Sequence, residues 1–102
     1  MDRLKAMSIV VQVVDSGSFS GASRVLGIPL ATISRQVTEL EAHLGTKLLT
    51  RTTRKLALTD AGTAYLAAAR RILDDVDETE RAAAGEYHSP RGELIMTAPV
   101  AF

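Results

Sequence analysis

The chain has 102 residues, no cysteine and equal numbers of acidic and basic side chains. That length suits one small domain plus an appendage, with a modest core that a partner chain can extend, and the missing cysteines exclude disulfide staples and thiolate metal sites and agree with a reducing cytoplasm. The neutral total divides into +4 over residues 1–59 (eight Lys/Arg, four Asp/Glu) and −4 over 60–102 (four against eight), which suits a polyanion at the first half, although an ordinary mixed surface accounts for the charge alone.

The first predicted element is a helix over about Asp2 to Asp15, with Leu4, Met7, Val11 and Val14 as its inward stripe and Val10 widening it. The segment is too short for a membrane span and lacks the small-residue cleavage site of a signal peptide, so no membrane role is expected. Ser16-Gly17-Ser18 ends this helix, and Ser18 or Ser20 can cap a second, short one over Ser20 to Leu26, with Phe19 packed inward ahead of it. Gly27-Ile28-Pro29 breaks the chain again, since Gly27 tolerates positive φ and Pro29 suits a first helical turn.

A third helix follows from Leu30 to Leu44. Ile33, Val37, Leu40 and Leu44 form its apolar stripe, and Ala31, Arg35, Thr38 and Ala42 lie opposite, flanked by Thr32, Ser34 and Glu39. Two short apolar runs, Lys47-Leu48-Leu49 and Leu56-Ala57-Leu58, then flank the basic, hydroxyl-rich tip Thr50 to Lys55, which reads as a β-hairpin. Thr59 caps a long alanine-rich helix with Asp60 at its positive end, running to about Tyr87. Leu66, Ala69, Leu73, Val76, Ala83 and Tyr87 lie near one seam that its own small domain cannot fully cover; Glu80 interrupts it, and Ile72 and Thr79 offer a neighbouring one. Ser89-Pro90-Arg91-Gly92 reads as a linker.

A short helix, a glycine-containing turn and a second amphipathic helix make a helix-turn-helix, in which one helix braces on the DNA backbone and the next enters the major groove. On the outward face of the third helix, Arg35 can fork onto a guanine or clamp a phosphate, Thr32 offers a hydroxyl or a methyl, Ser34 and Thr38 are short phosphate donors, and Ala31 permits close approach. A solvated face with no partner is the competing reading for these residues, and capping is the better reading for Ser18 or Ser20. On the hairpin, Arg54 and Lys55 suit DNA, whereas Arg51 suits either DNA or a place folded back on the core or against an acid. The only histidines, His43 and His88, are far apart and lack metal-ligand neighbours, and there is no glycine-rich phosphate loop. Enzyme chemistry therefore has no foothold, and no cofactor is expected.

The combination of Gly17-Ser18-Phe19, Ala22, Leu26, Ser34-Arg35-Gln36, Leu40-Glu41, Leu44-Gly45, Leu48-Leu49, Arg51-Thr52, Leu58-Thr59 and Ala61-Gly62 resembles the N-terminal domain of the LysR-type transcriptional regulators, over Asp2 to about Tyr87. The resemblance implies a mainly α fold, a winged helix-turn-helix of three helices and a β-hairpin wing followed by a long dimerisation helix. It implies a third helix in the major groove, a wing at the minor groove, and a long helix paired with its twin. Residues 1–59 would be the DNA-binding domain, 60–88 the linker and dimerisation helix, and 89–102 the hinge and opening strand of a truncated effector-binding domain. The expected partners are double-stranded operator DNA and a second copy of the chain, with a tetramer open for the full-length protein and a small-molecule effector expected only on the missing part. Where many members carry Ser-Gln-Pro, this chain has Pro29-Leu30-Ala31, so the polar cap and a base-reading glutamine are absent and Leu30 is left to pack on a thymine methyl. The candidate DNA-binding set is thus Ser18, Ser20, Leu30, Ala31, Thr32, Ser34, Arg35, Gln36, Thr38, Arg51, Arg54 and Lys55. Two other readings stay open: a winged-helix module that binds protein instead of DNA, and, with little in its favour, a small enzyme.

Overall fold

The computed structural model describes residues 1–51 and 55–85. Its elements run α1 (Arg3–Ser16), α2 (Phe19–Leu26), α3 (Leu30–Leu44), β1 (Leu49–Arg51), β2 (Leu56–Leu58) and α4 (Asp60–Ala83). The two strands form one antiparallel hairpin with Leu49 opposite Leu58 and Arg51 opposite Leu56. This is a mainly helical winged helix-turn-helix followed by a long helix, as the sequence predicts.

Side-chain caps set three of the helix starts. The N–H of Lys5 donates to the Asp2 carboxylate, that of Gly21 to Ser18 Oγ, and that of Gly62 to Thr59 Oγ1. Each satisfies one of the orphan donors of a first turn. Ser18, not Ser20, is therefore the cap of α2, which begins at Phe19, one residue earlier than expected. Pro29 precedes α3 without any side-chain cap. The turn between α2 and α3 is closed by Gly27 at φ +68°, whose N–H donates to the Ser23 carbonyl, and by the Ser23 hydroxyl, which donates to the Ile28 carbonyl.

The core joins Ala6, Ile9, Val10 and Val13 of α1 with Phe19 and Ala22 of α2, Ile33, Val37 and Leu40 of α3, and Leu48 and Leu49. This corrects the stripe expected for α1. Leu4 is exposed, and Met7, Val11 and Val14 are half-buried, while Ala6, Ile9 and Val13 hold the inner face. Seven of the eleven residues Leu4–Val14 are large and apolar, so two stripes satisfy the helical period and packing chooses between them. Leu44, placed on the α3 stripe, is 41% exposed at the helix end.

The first half of α4 belongs to this body. Tyr65 packs on the core, Ala69 is fully buried, and the Arg70 guanidinium pairs with the Asp15 carboxylate of α1. The Asp15 pair holds that carboxyl below its usual range through the hydrogen bond from Arg70. Helix α4 ends at Ala83, short of the expected Tyr87, with Gly85 at φ +85° after it. Its 24 residues span about 36 Å. The expected hinge and strand over 89–102 lie outside the described residues, as do Arg54, Tyr87 and His88.

Candidate nucleic-acid interface

Three elements converge on one side of the molecule: the N-terminus of α2, the outward face of α3 and the hairpin. The apolar stripe of α3 faces the core, so the opposite side stands clear. Leu30, Ala31, Arg35, Thr38 and Ala42 are exposed, while Thr32, Ser34 and Gln36 are half-buried at its flanks. Arg35 reaches Glu39 one turn on, with Nε 3.9 Å from the carboxylate and both side chains largely in solvent. Such a pair contributes little and yields to a stronger partner. Gln36 Oε1 is buried with no hydrogen-bond partner, so this side chain leans inward and only part of it is available to a ligand.

Leu30 opens α3 with 47% of its surface exposed, a large apolar side chain held out into water at the leading end of the helix. Beside it lies an open groove of about 680 Å³ lined by Gly17, Ser18, Phe19, Ser20, Leu30, Ala31, Ser34, Arg51, Lys55 and Leu56. Ser20 is exposed at its edge, whereas the Ser18 hydroxyl is already engaged as a cap. Two cations, Arg51 and Lys55, stand on the hairpin side. A second groove, of about 390 Å³, runs along Phe19, Ser34, Val37, Thr38, Glu41, Lys47, Leu49, Thr50 and Arg51. The Arg51 guanidinium lies over the Phe19 ring, 4.2 Å from its centroid. Of the alternatives left open for Arg51, it folds back onto an aromatic of the core.

The hairpin is fixed at its base by Glu41, Thr59 and Gly62, to which the sequence alone assigns no such role. The Glu41 carboxylate, on the inner side of α3, accepts the N–H groups of Leu48 (2.8 Å) and Leu49 (3.1 Å) and pairs with Lys47 Nζ at 3.7 Å. The Thr59 hydroxyl donates to the Lys47 carbonyl at 2.7 Å. Gly62 lies so close beneath Leu48 that a Cβ there would sit 2.0 Å from the Leu48 carbonyl oxygen. The signal for Glu41 was present as a charge beside the Leu40 stripe position, but period alone cannot show that a carboxylate is turned inward.

Of the seam residues on α4, Leu66, Leu73 and Val76 are half-buried, Ala83 is exposed, and Ala69 is covered within its own chain. No group of three metal-ligating side chains occurs among the described residues, and none of their helices is long and apolar enough to cross a membrane.

Residues 4–63 match the model of the bacterial regulatory helix-turn-helix proteins of the lysR family. The chain belongs to the LysR family. It is 47% identical over 94 residues to an HTH-type transcriptional repressor of Pseudomonas aeruginosa, covering 92% of this chain and 30% of that protein. It is 40% identical over 94 residues to the HTH-type transcriptional activator AaeR of Escherichia coli K12, with the same coverage. The chain thus spans about a third or less of the length of these curated relatives. Among solved structures it resembles the BenM DBD in complex with catB site 1 DNA, with TM-score 0.75, 34% identity, and coverage of 87% of this chain and 99% of that one. A LysR-family helix-turn-helix is a DNA-binding module of transcriptional regulators, and that coarse function is this chain's.

Proposed function

We propose that the chain is the DNA-reading part of a sequence-specific transcriptional regulator that binds double-stranded operator DNA as a homodimer, with α3 in the major groove and the wing at the minor groove. One observation carries this reading: the exposed face of α3, with Arg35 at its centre, stands beside a groove whose far wall is basic. A helix of this kind fits the major groove, and its edges offer both a guanidinium fork and small side chains that allow close approach. In this reading the hydroxyls of Ser20, Ser34 and Thr38 meet phosphates, and the wing cations of the sequence, Arg54 and Lys55, meet flanking backbone or minor groove. Leu30 supplies an apolar contact at the leading end of the helix, suited to a thymine methyl. A regulator of this kind works in the cytoplasm, and its effector site belongs to the longer part of the protein by which the curated relatives exceed this chain.

The test is selection of duplexes from a randomised pool by the wild-type chain, followed by binding of the selected duplex by Arg35→Ala. The substitution should cost on the order of 1–3 kcal/mol and relax one position of the site. Equal loss on every sequence makes Arg35 a phosphate clamp, and no loss removes this face of α3 from the interface.

A further inference from the structure

We infer that Arg51 serves DNA binding as a positioning residue: stacked on Phe19, it holds the outer end of the wing against the N-terminus of α2 and so sets where the wing meets DNA. This rests on the DNA-binding role proposed above and differs from it in one point, since it removes Arg51 from the groups that contact DNA directly. The two strands have three residues each, and a two-stranded hairpin of that size is marginal without further anchors. Its base has several, in Glu41, Thr59 and the close approach of Gly62. Toward its outer end, Arg51 supplies a tie of another kind. Arg51 is the last residue of β1, no carboxylate is paired with its guanidinium among the described residues, and the tie it makes to the helices is the 4.2 Å stack on Phe19.

The ring is a firm seat. Phe19 is 8% exposed, is the first residue of α2, and follows directly on Ser18, whose side chain caps that helix. Phe19, Ser34 and Arg51 line both grooves described above, so the stack stands between them, on the face proposed to meet DNA. A flat guanidinium lies on a ring in a way that a lysine ammonium does not reproduce. Arg51 pairs with Leu56 across the hairpin, and Lys55 directly precedes Leu56, so the place where Arg51 is seated governs where that charge is delivered.

The experiment uses a duplex selected from a randomised pool by the wild-type chain and measures log K against log[salt] for Phe19→Leu, Phe19→Tyr, Arg51→Lys and the double variant Phe19→Leu/Arg51→Lys. Phe19→Leu removes no charge, and Arg51→Lys keeps one. If the stack positions the wing, both weaken binding several-fold and flatten the salt slope, by roughly one unit for each phosphate contact the wing loses. Phe19→Tyr keeps the ring and should keep wild-type affinity and slope, and the double variant should bind no worse than the weaker single one. Wild-type affinity and slope for Arg51→Lys would overturn the inference, because a direct phosphate ligand tolerates exchange of one cation for another. Losses that simply add in the double variant overturn it as well. Arg51 is exposed, so Arg51→Lys can still overturn the inference if Phe19→Leu fails to fold, which circular dichroism shows. A wild-type chain that selects no duplex removes the proposed function itself, and this role with it.

Discussion

Burying Glu41 takes a carboxylate out of water, and the N–H groups of Leu48 and Leu49 are its compensation. The reverse holds too: those two donors begin the wing and have this acceptor as their partner. Glu41→Ala should therefore lower unfolding free energy by roughly 1–3 kcal/mol, with Glu41→Gln losing less because an acceptor remains. Urea titrations of the three proteins measure this, and equal stability of Glu41→Ala and wild type would show that water replaces the carboxylate without cost. Gly62 acts on the same joint by steric means. A methyl group there meets the Leu48 backbone at 2.0 Å, and backbone cannot turn aside as the end of a long side chain can. Gly62→Ala should destabilise by about 1–3 kcal/mol in the same titration. On the opposite side, the Asp15 carboxyl is lowered by the hydrogen bond from Arg70. A depressed carboxyl contributes stability above its unfolded-state pKa, and the contribution fades as pH falls through the lower, folded-state value. Asp15→Asn should thus be less stable than wild type near neutrality, by a small margin because the pair is exposed, and the difference should close in acid.

At the scale of elements, the residues that make helices and turns were legible, and the faces that meet were legible only in part. Helix α3 runs over Leu30–Leu44 as its stripe and Gly45 indicate, because one side is apolar and the other polar. Helix α1 misled for the opposite reason. With apolar side chains on most of its circumference, the sequence holds two acceptable stripes, and only the positions of α2, α3 and α4 choose Ala6, Ile9, Val10 and Val13. The wing was visible as two apolar runs around basic residues, yet β1 starts at Leu49, two residues later than the run suggests, since Leu48 turns into the core. The candidate site shows the same division. Exposure of Ala31, Arg35 and Thr38 followed from counting 100° per residue, whereas the seating of Arg51 on Phe19 joins residues 32 positions apart in sequence and leaves no periodic trace. The departure at Leu30 was also legible, and it makes an element-level claim. If α3 lies in the major groove, its leading end presents a branched apolar side chain where a hydrogen-bonding one is usual. Replacing thymine by uracil, one position at a time, in a selected duplex should weaken binding about two- to fivefold at one position in each half-site, in line with the loss of one buried methyl. Leu30→Gln should abolish that sensitivity, and a flat response to uracil at every position would show that Leu30 does not touch a base.

For the whole molecule, the decisive feature is that α4 is unevenly covered along its length. Its first half is committed to the protomer, through Tyr65, the fully buried Ala69 and the Arg70–Asp15 pair. Beyond Ala69 the apolar residues are less covered: Leu73 and Val76 are half-buried, and Ile72 is 42% exposed. A strip of this kind on a long helix suits a second copy, and a two-fold arrangement would let the same residues meet on both protomers. It would also separate the charges usefully, with the basic first 59 residues toward DNA and the acidic run Asp74 to Glu80 carried away from it. If the proposed homodimer forms through this strip, replacing both Leu73 and Val76 by Glu should convert it to monomer in sedimentation velocity. Helicity should stay near that of wild type, since neither side chain belongs to the buried core. The monomer should bind a single half-site weakly and lose the gain that two linked half-sites give, commonly on the order of 10² or more. Ala69→Glu is the informative contrast: it should unsettle the protomer itself, lowering the melting temperature, because that position is already filled from within the chain. A double variant that stays dimeric at the wild-type concentration would move the interface off this strip, and α4 would then be a spacer and not the contact.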